Sequence, residues 1–136
     1  MKFLQTIIFT ISFLTLFSCQ KSGPKDIALH KDQCANCRMT IENLPFATQI
    51  VTEKGRIYNF DDIMCMTMFE NSEPDLVAKS KKYVIDFGTK KFIELNKATL
   101  IKGGSIKSPM GGNTQAYADK EKAKQAAKKY GATILK

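Results

Sequence analysis

This chain is short of the residues that most enzymes use. It has one His and no Trp in 136 residues. No Ser/His/Asp arrangement, phosphate-binding loop or pair of catalytic carboxylates stands in it, which argues against a hydrolase or a transferase. Cysteine is scarce too: four in this length are too few for a disulfide-dense miniprotein. There is no apolar run of the roughly 20 residues that a spanning helix needs. Acid is in deficit, with 13 Asp+Glu against 21 Lys+Arg and a net charge of +8. That excess raises the possibility of an anionic partner. What is present is ordinary folding material. A hydrophobic content of 43% excludes wholesale disorder, and the length suits one domain or two very small ones.

The positive charge is scattered. Lys120, Lys122, Lys124, Lys128 and Lys129 fall mainly on the solvent side of a C-terminal helix, and Lys79, Lys81, Lys82, Lys90 and Lys91 decorate loops and hairpin ends. No aromatic residues interleave with them as stacking partners would in a nucleic-acid groove. The lysines therefore read as a solvated face, and no nucleic-acid partner is expected.

The N-terminus reads as an address. Lys2 is followed by an uncharged, mostly apolar stretch over 3–17, the pattern of a secretory signal peptide. It ends Leu16-Phe17-Ser18-Cys19, which resembles the lipobox of bacterial lipoproteins. Cleavage of a signal peptide over 1–18 and lipidation of Cys19 are expected; an uncleaved membrane anchor is the alternative. Either way the rest of the chain would be a membrane-anchored protein on the periplasmic or outer-membrane side. Residues 19–27 form the polar linker behind the anchor.

Two small units are expected in the remainder, giving an α+β fold in which each unit is a β-hairpin or antiparallel sheet with one helix. The first spans 28–75. Residues 28–44 read as loop, Phe46–Val51 and Arg56–Phe60 as a hairpin, and Asp61 or Asp62 as the N-cap of a helix reaching Glu70. The second spans 76–136. Tyr83–Phe87 and Lys91–Leu95 flank a Gly88-Thr89 turn, Ala98–Ile101 is a further strand, and 103–112 is a glycine-rich loop. Asp119 caps a helix with Ala123, Ala126, Ala127 and Tyr130 on one face, Gly131 ends it, and Ala132–Leu135 is a last strand.

The chemistry lies in sulfur. Cys34-Ala35-Asn36-Cys37-Arg38-Met39 is a C-x2-C with a methionine two residues on. Phe60-Asp61-Asp62-Ile63-Met64-Cys65-Met66 adds a third thiol, and Ser108-Pro109-Met110-Gly111-Gly112 adds a thioether between glycines. C-x2-C spacing lets two sulfurs reach one ion, and alone it fits zinc, a redox disulfide or copper. The methionines favour copper, because thioether is a good ligand for soft Cu(I) and a poor one for zinc.

In this order the motifs resemble the NosL family, lipoproteins that act as accessory proteins of nitrous oxide reductase. The resemblance covers about 32–135. It implies two α+β units of related topology and extracytoplasmic Cu(I) binding. It also implies delivery to the copper centres of the reductase, with its associated transporter as a further partner. Arg38 departs from the pattern, since glycine commonly precedes the family methionine.

Met39 and Met110 are the first candidate ligands, because each sits in a loop matching a family motif and off any helical apolar stripe. Cys65 follows, although a buried structural thiol is the alternative. Cys34 and Cys37 either ligate the metal or form a disulfide in an oxidising compartment. Met64, Met66 and Met68 read as core. His30 reads as exposed, yet it is also the group that could complete a Cys3His zinc site. Asp61 and Asp62 read as cap rather than catalyst. A non-enzymatic Cu(I) metallochaperone is therefore expected. A structural zinc module is the runner-up, and a thiol–disulfide oxidoreductase using Cys34 and Cys37 is the third reading.

Overall fold

A computed structural model describes residues 22–135. The expected signal peptide over 1–18, the lipidated Cys19 and the start of the linker lie outside the described residues. Among the described residues no helix is long and apolar enough to cross a membrane.

The regular structure begins with a single 3-10 turn at Leu44–Phe46, with Pro45 in it. Strand β1 (Thr48–Val51) follows, and β2 (Ile57–Phe60) returns beside it with Thr48 opposite Phe60 and Val51 opposite Ile57. Gly55 closes the hairpin at φ +81, donating its N–H to Thr52 O at 2.9 Å; glycine adopts that left-handed backbone without steric cost. Helix α1 (Ile63–Ser72) starts at Asp62, whose carboxylate accepts from the Met64 N–H at 2.9 Å. One further turn, α2 (Pro74–Val77), leads into β3 (Lys81–Ile85) and β4 (Phe92–Glu94). After a 3-10 turn at Leu95–Lys97 come β5 (Thr99–Lys102), β6 (Thr114–Tyr117), α3 (Lys120–Tyr130) and β7 (Thr133–Ile134).

The strands form two antiparallel sheets, ordered β2-β1-β3-β4 and β6-β5-β7. The fold is α+β, as expected, but the sheets do not follow the division at 75/76. All of β1 is buried, so both of its edges need backbone partners. β2 fills one edge and β3 the other, with Thr48 opposite Val84 and Val51 opposite Lys81. Residues 81–94 thus belong to the first sheet, and the sheets part at the Leu95–Lys97 turn. β6 was not expected as a strand. Its four residues are all buried, so they show no polar–apolar alternation.

Two carboxylates join the halves. Asp86 is buried and accepts from the Thr89 N–H at 2.9 Å, the Thr89 hydroxyl at 2.6 Å and the Ala118 N–H at 2.9 Å. Burial pushes its carboxyl up, but these donors outweigh that and hold it below its ordinary 3.8. Asp62 is the second tie. Besides capping α1 it accepts, through Oδ2, from Ser108 Oγ at 2.5 Å, the Met110 N–H at 3.0 Å and the Gly112 N–H at 3.3 Å. The glycine-rich loop of the second unit is thereby clamped onto the first helix.

Each unit has its own core. Ile41, Ile50, Phe60, Met66, Cys34 and Cys65 fill the first. Ile101, Ile106 and Tyr117 pack on Ala123 and Ala127 of α3 in the second. Asp119 caps α3, and Gly131 ends it at φ +63, as the sequence indicates. Met66 is core, but Met64 and Met68 are exposed, contrary to expectation. α1 turns the Cys65–Met66 side inward, and the i, i+4 pair is left facing solvent.

Candidate metal centre

The Cys34–Met39 segment folds back on itself. The Cys34 N–H donates to Met39 O at 2.8 Å and the Arg38 N–H to Cys34 O at 2.9 Å, while Gln33 and Thr40 form an isolated bridge. This tight turn forces Arg38 to φ +66. A non-glycine residue there costs about 1 kcal/mol, which is a physical reason for glycine at that place in the family pattern. The Ala35 N–H donates to Asn59 O at 2.8 Å and pins the turn against β2. Cys65 comes from the first turn of α1 and is fully buried.

These elements bring four donors together. Ligand atoms of Cys34, Cys37, Asp61 and Cys65 all lie within 4.8 Å of one another. Two sulfurs bound to one ion at about 2.3 Å each span at most about 4.6 Å, so only a small contraction would let the group share an ion. The three cysteines are free thiols, with no disulfide between Cys34 and Cys37. Cys37 Sγ donates to Asp61 at 3.7 and 3.8 Å from its two carboxylate oxygens.

Burial pushes the Cys34 thiol above its ordinary 9.0, against backbone N–H groups of Cys37, Asp61 and Asn36 that lower it. Burial also pushes Cys65 up, and the negative charge of Cys34 and Asp61 adds to the rise. Cys34 and Cys65 therefore hold their protons at neutral pH, and an incoming metal must displace them. A raised Cys34 is the opposite of the depressed thiol that disulfide exchange uses. The C-x2-C also lies in a turn ahead of a hairpin, not at the start of a helix.

Cys34, Cys37 and Cys65 thus meet. Met39 and Met110 stand on two separate loops, and neither side chain is placed among the four gathered donors. Met39 shares the cysteine turn and is 56% exposed; Met110 is half-buried against the first core, its N–H held by Asp62. His30 is exposed and stands outside the gathered donors, so a Cys3His site is not formed. Asp61 takes the fourth place, a role missed in the sequence. The signal was there: of two adjacent acids only one can be the N-cap. Asp62 caps, and Asp61 is left to turn inward.

A model of the NosL family matches residues 26–136. No curated protein matches in sequence. The fold is similar to the crystal structure of the copper chaperone NosL from Shewanella denitrificans. The TM-score is 0.73 at 21% identity, over 85% of this chain and 92% of that one.

Proposed function

The chain belongs to the NosL family, and on that premise we propose that it is a non-enzymatic copper metallochaperone. It takes up Cu(I) between Cys34, Cys37 and Cys65, with Met39 and Met110 at the edge of the site, and hands it on by ligand exchange. The observation that carries the reading is the meeting of three thiols from two separate segments within 4.8 Å of one another. Thiolate and thioether are soft donors suited to Cu(I). A site on two turns near the surface shelters the ion from oxidation yet leaves room for an incoming ligand. Asp61 accepts from the Cys37 thiol and stands beside the sulfurs as a fourth donor.

The recipient we propose is nitrous oxide reductase, reached from a lipid anchor on Cys19 at the extracytoplasmic membrane face. Anaerobic titration of the full chain with Cu(I) against a competing chelator tests the binding. One tightly held equivalent is expected. A Met39/Met110/Cys65 triple variant that binds as tightly as the parent would overturn the assignment. Transfer from the copper-loaded chain into copper-free reductase, read by recovery of activity, tests the recipient.

Zinc is the second reading, favoured by one observation: the fourth donor, Asp61, is a hard carboxylate oxygen of the kind zinc accepts. Metal analysis of protein purified without added metal separates the two, since stoichiometric zinc would support this reading.

A further inference from the structure

The cysteine cluster leaves surface sulfur unexplained. Met64 and Met68 lie four residues apart on α1 and are 37% and 51% exposed. Single exposed methionines need no explanation, but one of these is tied to the cysteine turn and the other to the Met110 loop. Asn36, inside the C-x2-C turn, directs Nδ2 at Met68 Sδ, 3.9 Å away. On the other side, a Cβ added at Gly112 would stand 3.1 Å from Met64 Cβ, so Met64 abuts the loop that carries Met110. Cys65 follows Met64 directly and points inward to the cluster. The pair therefore bridges the cysteine turn and the Met110 loop, on the outer face of the helix that supplies the buried thiol.

We propose that Met64 and Met68 form a second Cu(I) site, a low-coordinate thioether site at the surface through which copper reaches and leaves the cysteine cluster. Residues at i and i+4 on a helix have Cβ atoms about 5–6 Å apart, and three rotatable bonds in each side chain let both sulfurs turn onto one ion. A thioether carries no proton, so Cu(I) binds there without displacing one. Thiolates hold the same ion more strongly, and it moves inward. In that step a Cu–S(thioether) bond breaks, a Cu–S(thiolate) bond forms and the thiol proton leaves to solvent. Copper stays Cu(I) and no electron moves. The role as a relay rests on the reading of the cluster as the copper site.

The test is anaerobic Cu(I) titration of the full chain in detergent, with the methionine methyls labelled for NMR. In the parent, the second equivalent is expected to shift the Met64 and Met68 methyl resonances, while Zn(II) leaves them in place. The Met64→Leu, Met68→Leu variant changes exposed side chains at nearly constant volume, and its circular dichroism checks the fold. It is expected to keep the first equivalent, lose the second and load more slowly from a chelator. Retention of the second equivalent, or methyls that stay still through it, would overturn the site. A Cys34→Ser, Cys37→Ser, Cys65→Ser chain separates the two readings. One bound equivalent with both methyls shifted supports the surface pair whatever the cluster does, and no bound copper overturns it. If the parent's first equivalent leaves all three thiols open to a thiol reagent, the cluster reading fails on its own.

Discussion

α1 and α3 are helices of nearly equal length with opposite relations to their sheets. α3 buries Ala123 and Ala127 and turns its lysines outward, so its sequence states which side is in. α1 carries Ile63, Met64, Met66, Met68 and Phe69 in one short run. Over its first two turns apolar residues point to every side, and only from Thr67 on do Glu70 and Asn71 add a polar strip. Its orientation comes from its anchors: Asp62 is held by Ser108, Met110 and Gly112, and Cys65 is drawn to Cys34 and Asp61. The gathered donors lie in the unit around α1, and the Met110 loop of the unit around α3 reaches across to Asp62.

The largest expected effect sharpens that division. Cys65→Ala should abolish tight copper binding in chelator competition while costing the metal-free protein only about 1 kcal/mol, since one buried sulfur is removed and no hydroxyl is buried in its place. The converse comes from the other core. Ile101→Ala should cost ~3 kcal/mol of stability in denaturant unfolding, because it opens a cavity beneath α3, and should leave copper affinity unchanged.

Asp62→Ala would break the comparison by cutting the tie between the units. It strips four donors of one buried carboxylate, and a loss of roughly 3 kcal/mol is expected. Copper affinity should fall with it, since the Met110 loop is released.

Acidity gives a smaller effect that is confined to the first unit. Cys34 and Cys65 bind protons more tightly folded than unfolded, so metal-free stability is full below the ordinary thiol value of 9.0 and falls as pH rises beyond it. Copper binding moves the other way. Its apparent affinity should rise with pH by about tenfold per unit for each proton released, which competition titrations at two pH values will read. The smallest effect is Asp119→Ala, which removes the cap that accepts from the Glu121 and Lys122 N–H groups. It should cost about 1 kcal/mol and leave copper binding untouched.

Local features were legible in the sequence. The Gly55 hairpin, the start of α1 at one of Asp61 and Asp62, and the Asp119 and Gly131 ends of α3 depend on neighbours a few residues away. Cys34, Cys37 and Cys65 were likewise named from residue chemistry and spacing, and Met39 and Met110 with the family resemblance, whereas Met64 and Met68 were read as core. Features set by distant partners were not legible. β3 joins β1 because a buried strand needs both edges paired, and β6 hides its pattern because both of its faces are covered.

At the site, soft donor chemistry was determined by the sequence alone, since thiols and thioethers carry it wherever they fold. Which donors meet was decided by tertiary structure. The turn at Arg38, the pin from Ala35 to Asn59 and the clamp on Asp62 gather Cys34, Cys37 and Cys65. They admit Asp61 where a histidine was considered and leave Met64 and Met68 in solvent. The physical reason is that ligand identity belongs to single residues, whereas the meeting of ligands depends on backbone hydrogen bonds between segments far apart in the chain.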